Sequence, residues 1–570
     1  VAVALADYTP RAMPRAPSKV DYEQTWRRWE ALKSQRSQWE FDWQDIVRYL
    51  VPGANDITEM RSPGESRTEY IFDSRVLTHP NTLAANMQGA VTNPAIQWFR
   101  LKFRLEELNG MQHVNQWLQA CDETMLAVYN ASNFYQASHT YYVNLGAFGT
   151  AAMFVSARQG RDGGIQLQCK TLPTGSYCIA ENSDGRVDTL FRECWFSPRQ
   201  AVQKFGEGCT RQCIERYSEA GTRDVPERYV HAVYPRTDRQ AGKIDNRNMP
   251  WVDCYLDGQT HEVVKESGFE EFPFMVSRWE TLSNAPYGFG PGHLALPDVR
   301  VLNTLTELNL EQLVLWARPP LQMLREGVIG NVSLEPYALN VVSAMDNVKP
   351  LDFTGRPDLV QIDKQDLRQS IRDIFFVDAL QGLPPPDASK MTAFEVSARI
   401  EQMQRLMGPA FTRLLSELLD PLADRVFGLL LRARALPYPP QEVLLAAKQH
   451  AGQLDVDYVG PLARAQRGVD MRAIGDLVNA GLQMAQATQD MTIWDNLDLD
   501  AAFRHVSGVS GTPRGLVRDL RDVVILRQVR QQQQQQLQEA EARREDAAAI
   551  GRVAPGVAAL QQAQQLPLAA

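Results

Sequence analysis

The stretch 293-HLALPDVRVLNTLTELNLEQLVLWARPP-320, with its continuations 359-LVQIDKQDLRQSIRDIF-375 and 382-GLPPPDASK-390, decides how this chain is organised. In the first segment Pro297 and Asp298 read as a helix start: proline at a first-turn position and a carboxylate near the positive end of the helix dipole. Val301, Leu302, Leu305, Leu308, Leu310, Leu313 and Trp316 recur near three-four spacing. This predicts a rod of about 20 residues, on the order of 30 Å long, stopped by Pro319 and Pro320. The second segment places Leu359, Ile362, Leu367, Ile371, Ile374 and Phe375 on one face, with Asp366 and Ser370 among them. Its other face carries both signs of charge: Asp363, Lys364, Arg368, Arg372 and Asp373. The third is a breaker cluster, and Met391-Thr392-Ala393 then opens a new helix. The pattern is a rod, a tip, a returning rod, a stiff loop and a further helix.

Working outward, 570 residues exceed one ordinary core, so two to four domains are expected. With 44% hydrophobic and 22% charged residues the composition is that of a globular protein. A net charge of -9 disfavours tight, nonspecific DNA binding but is compatible with a passage through which DNA slides. The seven cysteines, an odd and sparse set, read as free thiols from a reducing compartment. The opening residues do not read as a signal peptide, so a cytosolic origin is expected.

Residues 1–20 read as a loose arm rich in Pro, Ala and Arg. Tyr22 to Leu50 predicts a long helix marked by Trp26, Trp29, Trp39 and Trp43, and further helices follow at 75–91 and 114–131. Tyr135 to Val155 predicts a helix running into a strand, where Gly146, Ala147, Gly149 and Ala151 indicate close backbone packing and not a phosphate loop. From about Gly160 to Pro286 the signal turns to β. Asp184-Gly185 and Asp257-Gly258 are hairpin cues, the second between Trp251–Leu256 and His261–Val264, and a helix is expected at Pro198 to Phe205. Met391 to Arg434 predicts a helix kinked or divided at Gly408-Pro409 and Pro421. Pro437, Pro439 and Pro440 mark a boundary, after which helices near 441–450 and 467–488 and a last long helix after Pro513 are expected.

Familiar catalytic templates fail one by one. His261-Glu262 starts like a zinc-protease motif, but Lys265 stands where the second His must be. Cys209 and Cys213 have no companion pair at zinc spacing and read as half-buried thiols. Asp495, Asn496, Asp498 and Asp500 lack the glycine and terminal Glu of a calcium loop and read as helix capping. No pattern calls for a metal, a cofactor or a catalytic nucleophile, and the chain does not read as an enzyme.

The order of features resembles the portal, or head-to-tail connector, proteins of short-tailed double-stranded DNA bacteriophages. The likeness is carried by Leu190-Phe191-Arg192-Glu193, Ala201 to Gly206, Phe272-Pro273-Phe274, Arg278-Trp279, Tyr287 to Gly292 and Leu302-Asn303. It continues through Arg318-Pro319-Pro320, Met391-Thr392-Ala393, Glu395-Val396, Arg399 and Asn496 to Arg504, covering roughly residues 20 to 545. The resemblance implies a predominantly helical α+β fold that assembles as a ring of about a dozen copies. It divides the chain into an arm (1–20), a wing with a helical part (21–160) and a β-rich part (161–290), and a first stem helix (291–318). A clip (319–355), second stem helix (356–380), tunnel loop (381–390), kinked wing helix (391–436), crown (437–525) and C-terminal helix and tail (526–570) follow.

The resemblance also assigns expected roles. Gly382, Leu383, Pro384, Pro385, Pro386, Asp387, Ser389 and Lys390 would form the tunnel loop, with Lys390 touching DNA phosphate. Glu307, Glu311, Asp363, Lys364, Asp366, Arg368 and Arg372 would lie on the stem, lining the lumen or pairing between subunits. Arg318, Pro319, Pro320, Leu321, Val348 and Phe353 would belong to the clip, whose strands Leu321–Leu324 and Val348–Phe353 would pair across subunits. The implied partners are further copies of the chain, double-stranded DNA, the terminase large subunit, major capsid and scaffolding proteins, and tail adaptor and internal core proteins. The implied place is the portal vertex of the virion, reached from the host cytoplasm. Two other readings stay open on the residues alone: a DNA-processing enzyme using scattered carboxylates with a divalent metal, and a helical scaffold or adaptor without a channel.

Overall fold

The computed structural model describes residues 20–59, 61–62, 64–109, 111–160, 164–219, 221–240, 245–282, 285–317, 321–323, 348–350, 357–380, 408–448, 454–458, 473–484, 486, 497–510, 517–518 and 522–540. They mix helix and sheet with helix predominant, in two compact units. The first is drawn from Val1–Arg100, Asp122–Leu436 and Val456–Val469, the second from Leu101–Cys121, Pro437–Asp455 and Asp470–Ala570.

The first unit is built on helix α1 (Tyr22–Tyr49), which starts where the Asp21 carboxylate accepts the Glu23 N–H at 3.0 Å. Its tryptophan periodicity has a packing cause: Trp29 and Val20 lie on the apolar face of a five-stranded sheet, against Phe191, Val230, Ala232, Val252, Cys254 and Leu256. Helices α2 (His79–Val91) and α4 (Phe134–Phe148) follow, together with α3 (Gln112–Ala131) from Asp122 onward. α4 then feeds strand β1 (Thr150–Gln159) through Gly149. β1 is the middle strand of a three-stranded antiparallel sheet with β2 (Ile165–Thr171) and β8 (Phe274–Arg278).

The five-stranded sheet is an antiparallel meander of β3 (Tyr177–Glu181), β4 (Val187–Phe196), β5 (Glu227–Pro235), β6 (Trp251–Asp257) and β7 (Val263–Phe269). Both Asp-Gly cues are turns. In the first, the Asn182 side-chain carbonyl accepts N–H groups from Asp184 (3.0 Å) and Arg186 (2.9 Å), and Gly185 takes φ 73°. In the second, the Asp257 carboxylate accepts the Gln259 N–H at 2.8 Å. His261, placed by the sequence in the following strand, instead stands at φ 56° in the turn, its ring against Tyr22 and Trp26; the strand starts at Val263.

The sheet's other face is covered by α5 (Pro198–Phe205) and α6 (Arg211–Ser218). A reciprocal Ser197/Gln200 capping box starts α5. Cys209 and Cys213 are fully buried there with Tyr229 and Tyr255, deeper than the half-buried position expected, because α6 closes over them. All seven thiols are free.

A buried polar row crosses this face. Arg192 Nε–H donates to His231 Nδ1 at 2.9 Å, and His231 Nε2–H donates to Asp253 at 2.7 Å, which fixes the imidazole as neutral. Burial, and then the Arg192 charge, push His231 down to about 4. The main tie across the unit is Arg278. Its Nε lies 3.2 Å from the Glu417 carboxylate, its backbone N–H donates to the same carboxylate at 2.8 Å, and Nη2 reaches Gly185 C=O at 2.8 Å; Glu181 completes the cluster. Glu417 lies in a π-helical turn, Leu415–Leu419, that leads into α9 (Asp420–Arg432). The break expected at Pro421 takes this form: proline has no N–H and its ring would press on the carbonyl four residues back, and the widened turn relieves both.

In the second unit are α10 (Gln441–Lys448), α11 (Leu499–Ser510) and helical residues 473–484 and 522–540. Trp117 Nε1–H donates to Pro437 C=O at 3.0 Å, tying residues far apart in sequence. Asp498 caps α11 by accepting the Ala501 N–H at 2.9 Å, as capping chemistry predicts, while Asp500 forms a two-pronged pair with Arg527 (2.6 and 2.7 Å). Asp495 and Asn496 lie outside the described residues. Among the described residues no helix is long and apolar enough to cross a membrane.

His231 and His293 are both buried neutral, His293 also pushed down to about 4 by burial. The unfolded chain binds protons at these sites from about pH 6.5 downward and the folded chain does not until about pH 4. Stability is therefore complete above pH 6.5 and falls as pH drops toward 4. Thermal unfolding should show a flat melting temperature from pH 8 to 6.5 and a progressive fall below it, shallower in His231→Gln; a melting temperature that rises on acidification contradicts this.

Candidate functional site

The candidate site is the helical hairpin of α7 (Pro291–Ala317) and α8 (Pro357–Ile374) and the corner that aims it. At that corner α4 ends on Gly149, left-handed at φ 67°, whose N–H donates to Leu145 C=O at 3.0 Å. The Gly288 to Gly292 turn lies directly on it. A Cβ on Gly149 would collide with the Gly288 carbonyl, and one on Gly292 with the Ala147 carbonyl. The contact is stitched by Trp279 N–H to Gly149 C=O (2.8 Å) and Gly288 N–H to Thr150 Oγ1 (2.7 Å).

α7 consequently starts at Pro291, six residues before Pro297, the start expected from sequence. Pro291 is the proline in the first-turn position, fixed by the glycine contact, and the Gly290 N–H donates to His293 Nδ1 at 3.3 Å. Pro297 lies inside the helix. Aromatic rings brace the base: Tyr287 stands edge-on to Trp43 (5.2 Å between centroids), and Phe289 stacks on His293 (4.9 Å).

Three polar ties hold the hairpin to the rest of the unit, and a fourth joins its two helices. Asn303 accepts the Phe72 N–H and donates to Tyr70 C=O, each at 2.8 Å. Arg368 places Nε and Nη2 on Asp73 Oδ2 at 2.9 and 2.7 Å, with Asp73 buried. Arg300 pairs with Asp45 of α1, and Ser370 bonds Asp298 at 2.8 Å, joining α8 to α7. Leu296, Val299 and Leu302 of α7, with Ile371 and Phe375, are among the buried apolar residues here.

The charges of the stem divide. Lys364 is buried, Arg368 is committed to Asp73, and Arg372 pairs with Asp378, whose carboxyl it holds low. Glu311, Asp363 and Asp366 are exposed and Glu307 is half-buried. The sequence put Lys364, Arg368 and Arg372 on an outward face. Two of these cations instead have partners in their own chain, because Asp73, which caps the short helical turn Ser74–Thr78, and the Val377–Leu380 turn fold against α8.

Residues 23–517 match the family described as bacteriophage head to tail connecting protein. The chain belongs to that family. The "Probable portal protein" of Bordetella phage BPP-1 is 31% identical over 521 residues, covering 90% of this chain and 92% of the relative. The "Portal protein" of Salmonella phage epsilon15 is 30% identical over 506 residues, covering 86% and 89%.

In this connector-family chain the tip is closed by Leu321–Met323 pairing antiparallel with Val348–Pro350, Leu321 opposite Pro350 and Met323 opposite Val348. These are the strands expected from the sequence, and within the chain they pair with each other. Two helices already held side by side bring the strands together at little further entropic cost. Arg318, Pro319, Pro320 and Phe353 lie outside the described residues, as do all the tunnel-loop assignments: Gly382, Leu383, Pro384, Pro385, Pro386, Asp387, Ser389 and Lys390.

Sequence reasoning gave no role to Asp73, Asn303 or Tyr287. Asn303 was at least visible as a polar residue on an apolar helix face; Asp73, 295 residues from Arg368, gave no local signal. Asp73→Asn removes the carboxylate that holds the half-buried Arg368 guanidinium and should lower stability by about 1–3 kcal/mol, read by urea unfolding. Asp363→Asn, at an exposed position, should stay within about 0.5 kcal/mol of the parent. Equal effects would contradict the anchoring role.

Proposed function

We propose that this chain is a phage portal protein: about a dozen copies close into a ring at one capsid vertex, through which the genome enters and leaves. The observation that carries the reading is the surface of α7. At 100° per residue, Val301, Leu308 and Leu315 form one apolar stripe, and Leu310, Leu313 and Val314 form a second on the opposite side; all six are exposed in the single chain. A helix with one partner needs one apolar face, whereas a helix in a ring has a neighbour on each side. Exposed apolar area of this kind marks an assembly surface.

On this reading the α7–α8 hairpin is the wall of the channel, and exposed Glu311, Asp363 and Asp366 present negative charge to passing DNA, keeping it from sticking. Lys390 and the proline-rich loop of residues 382–390 form the narrow passage. The tip docks the ATP-driven terminase during packaging and the tail adaptor afterwards, while the wing contacts major capsid and scaffolding proteins. The family membership and the two portal-protein relatives support this reading.

Val314→Asp and Leu308→Asp alter opposite stripes at positions open to solvent in the single chain, so each should fold with a stability change of at most about 0.5 kcal/mol. Sedimentation velocity should show the parent as a large closed assembly and each variant as subunits or small oligomers. Unaltered assembly in both variants would overturn the two-sided interface.

A further inference from the structure

We propose that the cleft beside the end of β4 is a docking site for an extended acidic peptide segment of another protein, held by strand addition to β4 and by Lys170, Arg192 and Lys204. The backbone supplies the first half of the argument. β5 pairs with β4 all the way to Phe196 opposite Glu227, but on the other side β3 stops at Tyr177 opposite Arg192. One further bond, Glu193 N–H to Ser176 C=O at 2.9 Å, ends the ladder. Beyond it no strand among the described residues lies against Glu193 to Phe196 on that side.

The N–H and C=O of a strand residue point the same way and alternate along the strand. Since Glu193 N–H faces the β3 side, Glu193 C=O and both backbone groups of Trp195 face it too. Trp195 itself is 61% exposed. This short free edge borders a cleft of about 650 Å³ lined by Glu193, Trp195, Lys170, Arg192 and Lys204. Free edges beside a concave surface are where extended peptides add as a further strand.

Charge supplies the second half. Lys170 sits directly opposite Phe154 on the neighbouring strand, and the Arg192 guanidinium stands 4.7 Å from the centre of the Phe154 ring. The Lys204 ammonium lies between Tyr255 (4.2 Å) and Phe196 (4.3 Å) and donates to Tyr255 Oη at 3.0 Å. Among the described residues no carboxylate is within ion-pair distance of these three cations, whereas Lys33 and Arg36, on the other wall, are paired with Glu193 and Glu40. Arg192 is nearly buried and held in place by His231, so its charge is oriented before any ligand arrives. Partial burial, with Arg192 and Lys265 nearby, pulls Lys204 down to about 8, as befits a cation awaiting a counter-charge.

In a chain of net charge -9 this concave group of cations selects an anion. The cleft is also lined by Glu40, Asp56 and Glu59, which disfavour a continuous polyanion such as nucleic acid relative to a ligand that carries negative charge only at spaced positions. A nucleic acid also has no amide ladder to offer the free edge. An extended peptide with acidic residues at alternate positions meets both requirements.

The test uses the full-length, assembled protein and a fluorescein-labelled peptide of about seven residues alternating glutamate with valine, read by fluorescence anisotropy. Saturable binding is expected, weakened by about tenfold or more in Lys170→Glu/Lys204→Glu and equally by methylating alternate amide nitrogens of the peptide. Lys170→Gln/Lys204→Gln, which only removes charge, should give an intermediate loss. If neither double variant folds, the methylated and unmethylated peptides on the parent protein still decide. No saturable binding, equal binding of the methylated peptide or of a single-stranded oligonucleotide, or binding indifferent to the lysine substitutions would each overturn the proposal. So would loss of assembly in the lysine variants without peptide binding by the parent, which would make the cleft a contact between copies.

Discussion

The direction of the helical hairpin depends on one steric constraint: the backbone of Gly149 and the backbone of Gly288 to Gly292 are in contact, with no room for a Cβ between them. Two hydrogen bonds hold the contact, from Trp279 N–H and Gly288 N–H. The geometry at the base of the hairpin starts there. The contact fixes Pro291 as the first residue of α7, sets His293 and Phe289 against the base, and positions Tyr287 under Trp43. A single methyl group on Gly292 would push the helix off Ala147, and over a rod on the order of 30 Å a small tilt at the base becomes a large displacement at the tip.

Charge pairs then secure what the glycine contact aims. Arg278 is buried, and the Glu181 and Glu417 carboxylates with the Gly185 carbonyl together satisfy it, so one side chain joins both sheets to the helix that ends in α9. Arg368 and Asp73 do the same between α8 and the segment before α2. Where the charge left behind is buried, as Arg278 and Asp73 are, removing its partner is costly because the buried charge is left uncompensated. The apolar side chains of α7 behave differently: several are exposed among the described residues, which is the physical reason to propose copies side by side.

Much of this was legible in the sequence wherever the cause is local. The periodicity of α1 follows from packing on a sheet, both Asp-Gly hairpins follow from turn chemistry, and Pro198 to Phe205 carries its own capping residues. The misreadings share a cause too. Pro297 looked like a helix start because proline favours first turns, but the decisive proline was Pro291, selected by a contact with Gly149 from more than a hundred residues earlier. Pro421 signalled a break, and it takes the form of a wide turn that also carries Glu417, the partner of Arg278. The partner of Arg368 was invisible because an ion pair between distant segments leaves no periodic trace. The order of weak local features, by contrast, identified the family well, since it integrates over most of the chain.

The central claim is that this chain closes on itself as a ring around a channel. Single-particle electron microscopy of the purified protein, with mass measured on the same sample, tests it most directly. The account predicts a ring of about a dozen subunits with an open centre walled by the α7–α8 hairpins. A monodisperse monomer or dimer with no central opening, persisting when capsid and scaffolding proteins are added, would contradict it.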